Sequence, residues 1–252
     1  MRRTSAIHWL GAVLLGLVAL RSAAAAAPAT DEFARANQEF AEGHFRAAID
    51  LYSAHVERGE RNAVLFYNLG NACYKEGDFG RAILNYERAL QLEPHHPEAE
   101  ANLRLVRDKA RALELRRNWL ERALERATSN QYTVAAAASF WLALFALAAL
   151  LFARRRSGGL VFGLLFASAV FAFAVYALYV RENGAKGRAL AVVTAKTTEA
   201  RLATADSAGT VLTLPPGSEV KILSTRGDWT YVALPNEQRG WIPAANAERV
   251  RL

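Results

Sequence analysis

The stretch that decides the fold is NLGNACYKEGDFGRAILNYERALQLEP, residues 68–94. Small residues at Gly70 and Ala82 allow two antiparallel helices to approach closely, and Gly77 supplies the turn between them. Pro94 lacks a backbone N–H and is expected to end the second helix. The stretch therefore predicts a helix–turn–helix unit.

The same pattern recurs 34 residues earlier, although its end is degraded and Gly59 is expected to end its second helix. Self-similarity at this period is the signature of stacked helical repeats. The residues resemble the tetratricopeptide repeat family, which implies an α-helical solenoid that binds peptides in the groove lined by its first helices. The matched pairs are Ala36 with Gly70, Phe40 with Tyr74, Gly43 with Gly77, Phe45 with Phe79, Ala48 with Ala82, Ile49 with Ile83 and Tyr52 with Tyr86.

That resemblance implies partner-binding side chains on the first helix of each repeat. Asn37 and Asn71 occupy the same repeat position, and an amide can both donate to and accept from a peptide backbone. The alternative is that Asn and Lys are merely common at these positions. The lysine cluster that clamps a carboxylate terminus in some family members is missing apart from Lys75. The candidates are Phe33, Asn37, Phe40, Tyr67, Asn71, Tyr74 and Lys75.

The two repeats are assigned to residues 28–96, and one capping and juxtamembrane helix is predicted over 97–132. Apolar residues at helical spacing, among them Leu103, Val106 and Leu113, indicate this long helix. Residues 101–127 hold 8 basic and 4 acidic groups. The cations could face lipid phosphates or an acidic partner. The favoured interpretation is a solvated face paired with neighbouring carboxylates.

Two uncharged runs predict a transmembrane hairpin. Val134 to Ala153 and Leu160 to Val180 are each long enough to cross the hydrocarbon layer. We predict helices over 133–153 and 160–180, joined by loop 154–159. Their interiors hold no Asp, Glu, Lys, Arg or His, so a transporter or channel is disfavoured.

Charge and the N-terminus predict the orientation of that hairpin. Residues 1–27 have the basic, apolar and small-residue order of a secretory signal peptide, with an uncleaved anchor as the alternative. Arg154, Arg155 and Arg156 are expected to keep the loop cytoplasmic. Both terminal domains are then periplasmic, and the protein is placed in the inner membrane.

The C-terminal part, after a linker at 181–187, shows short strands separated by turn residues. Over residues 188–252 it resembles bacterial extracellular SH3 domains, through LPPGSEV at 214–220, GDW at 227–229 and GWIP at 240–243. The resemblance implies a small all-β SH3-like barrel. Trp229, Trp241 and Pro243 are weak candidates for partner binding, and at least one of the two tryptophans is expected in the core.

The sequence offers little for chemistry. It has no Gly-rich phosphate loop, no nucleophile elbow and no ligand spacing for a metal, so we predict neither an enzyme nor a cofactor. Cys73 is interpreted as a buried small hydrophobe, and His95-His96 as solvated neighbours. The net charge of +7 comes mainly from the N-terminus and the arginine loop, which argues against nucleic acid as a partner.

The multidomain order of signal peptide, tetratricopeptide solenoid, two-helix transmembrane hairpin and SH3-like barrel resembles the Bacteroides-aerotolerance (Bat) family. That resemblance implies a scaffold in an envelope stress assembly. Its partners would be other Bat membrane proteins, several with von Willebrand A domains, and a MoxR-type ATPase. The alternative is a cell-wall sensor whose SH3-like domain binds peptidoglycan.

Overall fold

The computed structural model describes residues 27–152 and 157–252. The signal-peptide prediction, apart from its last residue, and the Arg154–Arg156 loop fall outside these ranges. The chain separates into two compact units between Arg107 and Asp108.

The first unit is a stack of helical hairpins. Its helices are α1 (Ala27–Ala41), α2 (Phe45–Glu57), α3 (Ala63–Glu76), α4 (Phe79–Leu92) and most of α5 (Pro97–Ala110). Gly43, Gly59 and Gly77 each follow a helix with a φ of 85°, the left-handed conformation that glycine adopts without strain. The predicted helix ends at Gly59 and Gly77 are thereby confirmed.

The predicted close approach of α3 and α4 occurs at Gly70. A Cβ atom built there would lie 2.8 Å from Cε1 of Tyr86, so only glycine fits against this ring. Asn62 and Asp78 cap the two helices by accepting from the backbone N–H of Leu65 and Arg81, at 2.8 Å and 3.0 Å. Sequence and packing agree throughout this hairpin.

Helix α5 is fastened to α4 by a buried ion pair. Arg107 Nη2 donates to Glu87 Oε1 at 2.5 Å, and both side chains are at most one-tenth exposed. Apolar contacts from Ala99, Leu103 and Val106, all buried, complete the interface. Helix α5 takes the place that the first helix of a further repeat would have, and we call α1, α3 and α5 the first-position helices. Helix α5 therefore closes the stack, which two hairpins alone would leave open.

The structure corrects the prediction of a single helix over 97–132. Helix α5 ends at Ala110, Arg111 has a φ of 53°, and residues 112–118 have no regular secondary structure. Leu113 packs against the core of the C-terminal sheet, where its carbonyl accepts from the backbone N–H of Glu219 at 2.8 Å. The helical spacing of Leu113 was misleading because this side chain has its apolar partners in a domain more than one hundred residues later.

The second unit continues with α6 (Trp119–Leu124), α7 (Ser129–Phe152) and α8 (Gly158–Asn183). The last two helices are long and apolar enough to cross a membrane. They pack together through Ala136, Ala167, Ala174 and Ala177, which are the buried apolar residues of the pair.

The unit ends in an antiparallel sheet in the order β3-β2-β6-β5-β4-β1-β7. The predicted barrel is not closed, because the three-residue β7 pairs with β1 and does not reach β3. Two strands carry bulges, at Ala200/Arg201 and Ile222/Ser224. The strands are β1 (Leu190–Val193), β2 (Thr198–Arg201), β3 (Thr210–Leu214), β4 (Glu219–Arg226), β5 (Trp229–Ala233), β6 (Arg239–Pro243) and β7 (Ala247–Arg249), with a 3₁₀ turn at Ala244–Asn246.

Candidate functional site

A groove lies among the first-position helices of the helical unit and has a volume of about 200 Å³. The structure brings four of the seven predicted residues together in it. Phe33, Asn37 and Tyr67 do not line this groove. The lining residues are Phe40, Asn71, Tyr74, Lys75, Tyr86, Asn102, Leu105 and Val106.

A hydrogen-bonded ladder of amides and phenols repeats along the helical unit, and its second copy lines the groove. Asn71 Oδ1 accepts from the Tyr86 hydroxyl at 2.7 Å and from Asn102 Nδ2 at 3.0 Å. One repeat earlier, Asn37 Oδ1 accepts from the Tyr52 hydroxyl at 2.6 Å and from Asn68 Nδ2 at 3.2 Å. The 34-residue sequence period is thus reproduced bond for bond, although the first copy is more divergent.

This ladder changes the predicted role of the two asparagines. The carbonyl oxygens that were expected to accept from a peptide already accept two hydrogen bonds each within the chain. The Nδ2 hydrogens of Asn37 and Asn71 remain available as donors, because they have no acceptor among the described residues. The groove, which Asn71 lines, therefore offers the amide hydrogens of Asn71 to a peptide carbonyl in place of the predicted donor–acceptor pair.

The phenols of the ladder stay protonated. Burial raises the pKa of Tyr86 and of Tyr52 above the usual value, because a phenolate loses its hydration there. Each hydroxyl thus donates to its asparagine across the physiological pH range. The ladder is a permanent feature of the stack and not a titrating one.

The predicted aromatic residues have mainly structural contacts. Phe33 packs edge-to-face on Tyr52 with ring centroids 5.7 Å apart, and Phe40 lies 5.5 Å from Phe45. Tyr67 lies 4.8 Å from the ring of His96. His96 was predicted to be solvated, and this is wrong because the turn after α4 folds it back onto Tyr67.

Sequence reasoning missed four residues of the groove, which are Tyr86, Asn102, Leu105 and Val106. Asn102 stands 34 residues after Asn68, so the repeat period could have found it. Leu105 carries an exposed apolar side chain, 52% accessible, one turn beyond Asn102. Together with the exposed Lys75, it gives the groove an apolar contact and a positive charge.

Cys73 lies behind this groove, in the core, as predicted. Its side chain is 1% exposed, and burial raises the pKa of the thiol to about 12. At neutral pH almost none of it is thiolate, the form that reacts. We expect a thiol reagent to label the folded chain at least a hundredfold more slowly than the denatured chain. Rapid labelling of native protein would contradict the packing of α3.

A second candidate surface lies on the C-terminal sheet. Trp229 pairs with Pro243 and Tyr231 with Trp241 across β5 and β6, so all four residues share one face. The alternate residues Val232 and Ile242 are fully buried. The expectation of a core tryptophan is therefore wrong: both are half-buried on the outer face, because strand register assigns the core to aliphatic residues.

The ligand atoms of Glu39, Glu42 and His44 lie within 4.8 Å of one another at the end of α1. His44 Nδ1 is 3.0 Å from Glu39 Oε2, so this cluster is partly satisfied by itself. Glu42 and His44 are exposed and Glu39 is half-buried, as in many solvated helix ends. We assign it no metal.

Comparison with known proteins agrees with the helical part of this picture. Residues 63–96 match the family model of the tetratricopeptide repeat. These residues include α3, α4 and four of the seven predicted groove residues. No curated protein matches the chain.

Proposed function

We propose that this chain is a membrane-anchored scaffold, without enzymatic activity, that holds an extended segment of a partner protein in its repeat groove. Tetratricopeptide repeats suggest protein–protein interaction, and two helices can serve as the anchor. The observation that carries the proposal is the groove, where unpaired amide donors adjoin an exposed leucine and a lysine. Donors for the backbone and a pocket for a side chain are what peptide recognition needs.

In finer terms, we propose a BatE-like protein of the inner membrane with both terminal domains periplasmic. Its partners would be envelope proteins of a Bat/MoxR-type aerotolerance assembly, with von Willebrand A domains. The support is the order of the modules and the resemblances in the two soluble parts. Nucleic acid has no place in this proposal.

Contacts between the two ends of the hairpin support that topology. Residues before α7 contact the last turns of α8 and the sheet that follows it: Arg181 Nη1 donates to Ala127 O at 2.9 Å, and Leu115 N donates to Glu219 Oε2 at 3.1 Å. Such contacts require an even number of crossings. Cys73 is buried and is not expected to react, so single cysteines can be introduced at other positions while the native Cys73 is kept.

The topology is tested with a membrane-impermeant maleimide on spheroplasts. Arg35→Cys and Asn236→Cys should label in intact spheroplasts, and Arg155→Cys should label only after permeabilisation. The unmodified chain is the control for the native thiol. Labelling of Arg155→Cys from outside would overturn the orientation.

Substituting two exposed residues of the groove tests partner binding without changing the hydrogen-bonded ladder. We expect Lys75→Glu with Leu105→Asp to reduce the co-purified partner at least tenfold, because the charge is reversed and the apolar contact is lost. Arg61→Glu with Leu92→Asp is the matched control, since Leu92 is 50% exposed but lies on a second-position helix. Partner retention equal in both double variants would refute the groove.

The aromatic face favours a second function, peptidoglycan binding by an SH3-like domain. Rings half-exposed in a row can pack on a sugar or peptide, and Tyr231 and Trp241 lie 4.9 Å apart. The full chain in detergent should sediment with purified sacculi, and Trp241→Ala should abolish this. Leu202→Ala, at a 72% exposed residue off this face, is the control. Absence of sedimentation by the unaltered chain would remove this candidate.

A further inference from the structure

Helix α6 and the turn that follows it carry an exposed tryptophan and two exposed arginines. Trp119 is 74% accessible, and it lies on α6 three residues before the exposed Arg122, so these two side chains are neighbours. Arg126, also exposed, lies in the turn two residues after the end of the helix. Leu124, on the other face, is buried.

Hydrogen bonds fix this helix at the end of the transmembrane pair. The carbonyl of Leu124 accepts from Arg181 Nη1 at 3.1 Å and from the Tyr132 hydroxyl at 3.2 Å. Arg181 directly follows the apolar part of α8, and Tyr132 directly precedes that of α7. If α7 and α8 cross the membrane, α6 is therefore held at the level of the lipid headgroups.

The charge on this face is not neutralised within the chain. Arg117 pairs with Glu125 at 2.8 Å and Arg116 with Glu237 at 3.2 Å, so neighbouring cations have partners. Among the described residues no carboxylate pairs with Arg122 or Arg126. An exposed indole followed by two such guanidinium groups matches the membrane interface, where tryptophan is enriched and arginines attract anionic lipids.

We propose that the face formed by Trp119, Arg122 and Arg126 binds the headgroups of anionic phospholipids in the outer leaflet of the membrane that holds the hairpin. The indole lies at the acyl boundary and the two guanidinium groups bind lipid phosphates. This adds a lipid preference to the anchor and rests on the membrane part of the proposed function. It does not depend on the repeat groove.

The experiment uses the full chain in nanodiscs of mixed phosphatidylcholine and phosphatidylglycerol. When the chain is released from the nanodiscs, we expect phosphatidylglycerol to be enriched among the lipids that stay bound to it. This enrichment should be smaller at high salt. Arg122→Gln with Arg126→Gln should lower that enrichment on the order of tenfold. Arg35→Gln with Arg61→Gln removes the same charge from the helical unit and should change nothing.

A second measurement follows the indole. Brominated phosphatidylglycerol should quench a fluorescence component that disappears in Trp119→Phe. Equal enrichment in the two double variants, or an indole that is not quenched, overturns the lipid site. Alkaline extraction and partner co-purification are run in parallel. If alkali extracts the chain from the membrane, the membrane anchor itself is refuted. If no partner co-purifies while lipid binding is intact, only the scaffold is refuted.

Discussion

Replacing Arg107 by leucine is expected to detach helix α5 from the repeats, with a loss of about 3–5 kcal/mol. The reason is burial: Glu87, with 4% of its side chain exposed, loses the guanidinium group that neutralises it in the core. Hydrogen exchange should show this as a loss of protection in α5 on the order of a hundredfold or more. Glu87→Leu should act in the same way.

Two further variants separate burial from charge. The double variant Glu87→Leu with Arg107→Leu should cost far less than either single change, because no charge remains uncompensated. Arg58→Leu is the matched surface control: Arg58 Nη1 lies 2.5 Å from Glu32 Oε2, but both side chains are more than 40% exposed. We expect less than about 1 kcal/mol there. A double variant as damaging as the singles would mean that another contact holds α5.

Filling the contact at Gly70 is expected to have the second largest effect. The added Cβ of Gly70→Ala would meet Tyr86 Cε1 at 2.8 Å and Cδ1 at 2.9 Å. The ring cannot move aside cheaply, because Tyr86 is fully buried and its hydroxyl is bound to Asn71. The gain in helix propensity, about 1 kcal/mol, offsets part of an overpacking cost of about 1–3 kcal/mol. Gly70→Val should cost more and should lower the thermal midpoint of the helices.

The clash at Gly70 can be isolated by a double-mutant cycle. In a Tyr86→Leu background, Gly70→Ala should become nearly neutral, because the ring that it meets is gone. Ala36, at the matching position of the first repeat, is fully buried, so an alanine is accommodated there. If Gly70→Ala costs as much with leucine at 86 as with tyrosine, the contact is not the cause.

Local patterns were sufficient where neighbours in sequence are neighbours in space. Gly77 and Asp78 form the predicted turn, and the 34-residue match of Tyr52 with Tyr86 gives matching hydrogen bonds. The groove was only half predicted, since Phe40, Asn71, Tyr74 and Lys75 were named and Tyr86, Asn102, Leu105 and Val106 were not. The last three lie on α5, which only packing identified as a lining helix, although Asn102 keeps the 34-residue period.

By itself, the sequence determined the helical hairpins, the two apolar helices and the presence of short strands in the C-terminal part. These follow from periodicity, from glycine and proline, and from run length, all of which act over a few residues. Tertiary structure alone decided that Leu113 belongs to the C-terminal sheet, that Trp229 and Trp241 face outward, and that the asparagine carbonyls of the groove are already occupied. Each of these depends on a partner distant in sequence, because strand register and hydrogen-bond satisfaction are settled only when the elements pack.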